Sequence, residues 1–163
     1  MTVSEEIKLQ AKLLEWQAPK GHAASLMCYK CFDVVWVTDG IVIARMSAGL
    51  NRLSVPERTA IRDYTTLPDN ATKAWLTPTQ WKDKEMGVCV RAETATEGVW
   101  VRDKYLKLFG KGDYDLYIAP EAKHLWLTEP DTREVLGVIA GVRGINKKLE
   151  ALRCKKGDKN GRN

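Results

Sequence analysis

Over residues 4–16 apolar positions recur at helical spacing. Ile7, Ala11 and Leu14, with Leu9, Leu13 and Trp16 beside them, form a broad stripe opposite Glu5, Lys8, Lys12 and Glu15. Thr2 stands three residues before Glu5, the spacing of a capping box, and Pro19 and Gly21 lie beyond the last periodic residue. The pattern predicts a helix over 4–16. Then the period changes. Residues 25–31 and 33–37 are short and rich in Val, Tyr and Trp, whereas 41–46 alternates Ile41, Ile43 and Arg45 with Val42, Ala44 and Met46, and all three read as strands. Between the last two sits Thr38-Asp39-Gly40, where Asp-Gly tolerates positive φ and predicts a type I′ hairpin turn.

Further along, Ser54 and Glu57 repeat the capping-box spacing ahead of a short helix near 55–64. Thr77-Pro78 reads as an N-cap followed by proline at the first helical position, predicting helix over 79–86, stopped by Gly87. Residues 88–92 and 99–101 are strand-like, with a turn over 94–98. A second amphipathic helix follows over 103–109, ended by Gly110, and three strands over 113–119, 124–129 and 133–140 complete the pattern.

The two halves share an order: a helix, then strands joined by short polar turns. That grammar predicts an α+β fold with a mainly antiparallel sheet, two pseudo-repeated helix-plus-strands halves, and both helices on one side. The expected organisation is one domain over 1–142, with an insert near 50–87, and a basic tail over 143–163.

The stretch "VWVTDGIVIA" resembles the strand–turn–strand of bacterial DNA polymerase sliding-clamp domains. The segment "VWVRDKYLKLF…DYDLYIAP…KHLWLTE…REVLGVIA" is similar to the second half of such a domain. The resemblance covers residues 4–140 as a pattern of elements, and rests in identity on Thr38, Asp39, Gly40 and Ala44. It implies a noncatalytic, clamp-like protein associated with double-stranded DNA, a replication accessory factor of the size found in phages and mobile elements, and one that self-associates as a homo-oligomer. It also implies phosphate contacts through Arg102, Lys104, Lys107 and Lys111, and through the tail residues Lys147, Lys148, Lys155 and Lys156.

Charge bears on this. The formal net charge is +5, but it is unevenly placed. From residue 143 onward eight basic residues (Arg143, Lys147, Lys148, Arg153, Lys155, Lys156, Lys159, Arg162) face only Glu150 and Asp158. The rest of the chain is close to neutral. A basic tail suits nonspecific phosphate binding. The first helix balances Glu5 and Glu15 against Lys8 and Lys12 and adds nothing to that argument.

Candidate chemistry is sparse. Cys28-Tyr29-Lys30-Cys31 has the spacing of half a zinc site, yet no second pair follows, and in a strand the two sulfurs point to opposite faces. His22 and His124 lie in different elements, with no carboxylate at a telling spacing. Asp113 with Asp115, or Glu129 with Asp131, lacks a third ligand for a divalent cation. No P-loop, dinucleotide fingerprint or serine elbow is present. The expectation is therefore a protein without catalytic residues, metal or cofactor.

Six tryptophans remain. Trp75 and Trp81 flank the Thr77-Pro78 turn and mark a candidate partner-binding surface, the alternative function being a protein-binding module or inhibitor. No apolar run approaches the ~20 residues of a membrane helix, and MTVSEEIK lacks a signal-peptide pattern, so the expected compartment is the cytoplasm.

Overall fold

The computed structural model describes residues 1–17, 26–110, 112–121 and 123–145. Helix α1 (Val3–Gln17) begins at the anticipated capping box. The Thr2 N–H donates to Glu5 Oε2 at 2.7 Å and the Glu5 N–H to Thr2 Oγ1 at 3.2 Å. These bonds satisfy donors that a helix end leaves open, and they hold the Glu5 carboxyl below its ordinary pKa.

Among the described residues nine strands follow: β1 (Met27–Cys31), β2 (Val34–Thr38), β3 (Val42–Ser47), β4 (Thr72–Asp83), β5 (Gly87–Glu93), β6 (Gly98–Arg102), β7 (Asp115–Ile118), β8 (His124–Thr128) and β9 (Val135–Ala140). They form one sheet in the order β1-β2-β3-β9-β8-β7-β4-β5-β6, with every neighbouring pair antiparallel. The protein is thus mainly antiparallel sheet with a small helical part. Between β6 and β7 lies helix α2 (Asp103–Leu106), prolonged by a 3₁₀ turn over Lys107–Phe109. Among the described residues no helix is long and apolar enough to cross a membrane.

Both faces of the sheet carry a buried cluster. On one, Val35, Val37, Ala44, Leu125, Leu127, Leu116 and Ile118 join Leu9 and Leu13 of α1 and Tyr105, Leu106 and Phe109 of α2 and its extension. On the other, Trp36, Tyr117, Trp126 and Val138 lie under Ile61, Tyr64 and Leu67. Phe109 packs over Gly137 of β9, where any Cβ would run into its ring and the Ile43 carbonyl. Glycine is what lets the helical turn lie so close to the strand.

The Thr38–Ile43 connection differs from the expected turn. Gly40 has φ +93°, but Asp39 is not at positive φ, so the turn is not type I′. Asp39 instead folds its carboxylate back: Oδ1 accepts the N–H groups of Ile41 at 2.9 Å and Val42 at 3.0 Å. The side chain closes the loop that the backbone alone was expected to close.

Two further expectations are corrected. Helix over 79–86 is replaced by the end of β4 and the Lys84–Met86 turn. Pro78, which cannot donate to a ladder, sits inside the β4–β5 register shift between Leu76 and Gln80, where no donor is needed. The stretch near 50–87 holds the 3₁₀ segment Thr59–Tyr64 and β4, which pairs between β7 and β5. The short helix near 55–64 is a 3₁₀ segment, Thr59–Tyr64, and Ser54 and Glu57 do not cap it; the cap position is Arg58.

The buried face of α1 is also rotated from the anticipated stripe. Leu13 is 0% exposed, while Ile7 and Leu14 are 54% and 51% exposed. Glu6 and Gln10 turn inward with Leu9 and Leu13. Glu6 accepts from the Ser47 N–H at 3.1 Å and Oγ at 3.2 Å; Gln10 donates to the Leu50 carbonyl and accepts from the Arg52 N–H, both at 2.9 Å. Polar side chains face inward because the 47–52 turn supplies their partners.

Candidate functional site

Glu5, Lys8, Lys12 and Trp16 are spaced three or four apart, so they run along one flank of α1. Opposite them stand Lys104 and Lys107. Together with Leu9, Leu108 and Gly110 these residues enclose a groove of about 440 Å³. The floor is apolar. Four lysines stand around it.

The arrangement is fixed from below. The Tyr105 hydroxyl donates to Asp39 Oδ2 at 2.7 Å, joining α2 to the β2–β3 hairpin. The Tyr105 ring meets Trp16 edge-on, with centroids 5.2 Å apart and planes at 80°. Lys104 Nζ lies 4.5 Å from the Trp16 ring centroid and 5.1 Å from that of Tyr105. On the rim, Lys12 pairs with Glu15 at 3.0 Å and Lys107 with Asp103 at 2.6 Å. The Lys12 and Lys107 side chains are solvent-exposed, so these pairs are weak. The groove can hold a ligand with an apolar or aromatic centre and anionic groups around it.

Lys104 and Lys107 of the anticipated phosphate contacts are thus brought together. Arg102 lies at the end of β6, paired across to Cys89, and does not line the groove. Lys111, Lys147, Lys148, Lys155 and Lys156 lie outside the described residues. What sequence reasoning missed is Lys8, Lys12 and Trp16, because over all of α1 the two lysines are outnumbered by Glu5, Glu6 and Glu15. The available signal was their common spacing of four.

The two candidate partner-binding tryptophans separate. Trp75 is 53% exposed, beside Leu76 at 43%. Trp81 is half-buried against the Cys89, Trp100 and Ile145 cluster, its Nε1–H buried without a hydrogen-bond partner. Cys28 is buried, its thiol donating to the Val55 carbonyl at 3.6 Å and pushed up in pKa by burial, whereas Cys31 is half-exposed. Among the described residues no group of three or more His, Cys, Asp or Glu is placed to hold a metal ion. Asp115 is paired with Lys73 at 3.2 Å. His124 packs edge-on to Tyr64 at 5.3 Å beside a cavity of about 270 Å³, and burial, with Lys123 and Arg143 nearby, holds its pKa below the ordinary value. His22 lies outside the described residues.

Comparison with protein-family models, with curated proteins and with solved structures found no match.

Proposed function

We propose that this is a noncatalytic DNA-associated protein that grips the phosphate backbone through the lysine rim of the α1–α2 groove. The observation that carries the reading is the convergence of Lys8, Lys12, Lys104 and Lys107, from two helices distant in sequence, around one concavity. The clamp-like part of the reading draws support from strand order. Two meanders, β1-β2-β3 and β7-β8-β9, abut through β3 and β9, each preceded by a helix, with both helices in the core cluster on one face. A replication accessory role fits this reading, and a closed ring forms no part of it.

Phosphate binding through four lysines has a measurable signature. Each neutralised phosphate contributes about −0.9 to the slope of log K against log salt for duplex, and about −0.7 for single strands. Four contacts therefore predict an affinity loss of about 50- to 150-fold between 50 and 200 mM salt. Fluorescence anisotropy with labelled DNA reads this directly. Lys104→Glu with Lys107→Glu should weaken binding and flatten the slope, with an unchanged circular dichroism spectrum. Affinity indifferent to salt and to these changes overturns the proposal.

A second reading, a protein-binding module, rests on the exposed Trp75–Leu76 pair in β4. It predicts a partner interaction lost in Trp75→Ala and retained in the lysine variants.

A further inference from the structure

We infer that the groove receives an unpaired strand, one base lying on the Trp16 indole and the flanking phosphates on Lys8, Lys12, Lys104 and Lys107. This rests on the nucleic-acid reading above and names the state of the ligand.

Shape comes first. A duplex offers its phosphates on convex ridges and its base edges in a groove, so its readers present a projecting helix or strand, or a broad basic face. Here the ammoniums stand around a hollow. Its volume, about 440 Å³, falls in the range of small-molecule sites, roughly 300–1,000 Å³. That is room for a nucleotide and too little for a double helix.

The floor makes the second point. Leu9, Leu108 and the half-buried Trp16 line it. A phosphate backbone alone has no use for an apolar floor, whereas an unstacked base does, because every base has a face to lay on an aromatic ring. Trp16 is also held ready. Tyr105 contacts it edge-on, and the Tyr105–Asp39 hydrogen bond anchors that ring to the sheet. The indole is a fixed platform, and little ordering is left for binding to impose.

Lys104 stands where both the ring and a flanking phosphate are in reach. Its ammonium lies over the Trp16 ring, a cation–π contact of modest strength at an exposed site. A phosphate is a stronger partner for an ammonium than a ring face is.

Other anionic ligands fit less well. An acidic peptide would meet the lysines and leave the indole without a stacking partner. An anionic bilayer would need apolar surface running on from the groove, but the exposed apolar residues of α1, Val3, Ile7 and Leu14, lie on the helix flank away from it.

The test compares a labelled single-stranded DNA 12-mer with a hairpin duplex of the same sequence, by anisotropy at fixed salt. The single strand should bind at least 10-fold more tightly. Trp16→Leu, which keeps an apolar side chain but removes the π face, should lose about 5- to 150-fold of single-strand affinity and little duplex affinity. Trp16→Phe should keep most of both. A 5-iodouracil-substituted single strand photo-crosslinked to the unaltered protein should map to the peptide carrying Trp16, a readout that does not depend on any variant folding. Duplex binding as tight as single-strand binding, or crosslinks confined elsewhere, overturns this inference; if the lysine reversals still weaken binding, the nucleic-acid reading stands. Polyglutamate or anionic vesicles bound as tightly as either DNA overturn both.

Discussion

Asp39 serves two masters with one carboxylate. Oδ1 closes its own hairpin through Ile41 and Val42, and Oδ2 takes the Tyr105 hydroxyl. Burial and then the Asp39 bond push the Tyr105 phenol far above its usual pKa, so it remains a donor throughout the neutral range. Tyr105→Phe removes only that donor. We expect a loss of about 1.5–3 kcal/mol in chemical denaturation, the range for hydrogen bonds to charged groups, with an unchanged denaturant slope. His124 makes the other residue-scale prediction. Its imidazole, facing Tyr64 and Arg58 and beside Lys123 and Arg143, has a pKa held below the ordinary 6.5. The unfolded chain therefore binds the proton first. The contribution of neutral His124 is complete above pH 6.5 and is lost as pH falls through the lower folded value. Thermal melts from pH 7.5 to 5 should show Tm falling, and His124→Gln should flatten that part of the profile.

At the scale of elements, α1 shows how a helix chooses its inner face. Periodicity pointed to a stripe that included Ile7, Ala11 and Leu14. The structure seats the helix on Glu6, Leu9, Gln10 and Leu13, because Ser47, Leu50 and Arg52 satisfy the two polar side chains. The two orientations predict opposite mutant behaviour. Leu13→Ala should cost about 2–5 kcal/mol, as deletions in a filled core do. Ile7→Ser and Leu14→Ser should fall within about 0.5 kcal/mol of the parent. Glu6→Ala should cost about 0.5–1.5 kcal/mol through loss of its bonds to Ser47. Urea titrations of the four variants decide between the faces.

For the whole molecule, what matters is how the sheet treats its edges. β1 is flanked by the chain at Pro56–Arg58: the Cys28 N–H donates to the Pro56 carbonyl at 2.8 Å, and the Arg58 N–H to the Cys28 carbonyl at 2.7 Å. At the other end the Val142 N–H donates to the Trp100 carbonyl of β6 at 2.7 Å. Each edge strand is five residues long and partly satisfied by its own chain, which blunts edge-to-edge pairing. The self-association expected of a clamp subunit has little edge to work with. Sedimentation equilibrium of the free protein should return the 18.4 kDa monomer across the micromolar range.

Much of the architecture was legible in the chain. The Thr2–Glu5 box, the 103–109 helical turn, the hairpin at Asp39-Gly40 and the last three strands all follow from local rules of spacing, capping and turn chemistry, and those rules act within a few residues. Thr77-Pro78 misled because an N-cap with a following proline and a proline in a bulge are written alike. Only the β5 partner, supplying a register shift around Pro78, distinguishes them. The groove was illegible for the same reason at longer range. Lys8, Lys12 and Trp16 belong to one end of the chain and Lys104 and Lys107 to a later stretch, and α1 on its own carries more acidic than basic residues. Folding both helices onto one face of the sheet is what sets five ordinary residues around a single hollow, and that placement is decided by the partners each side chain finds.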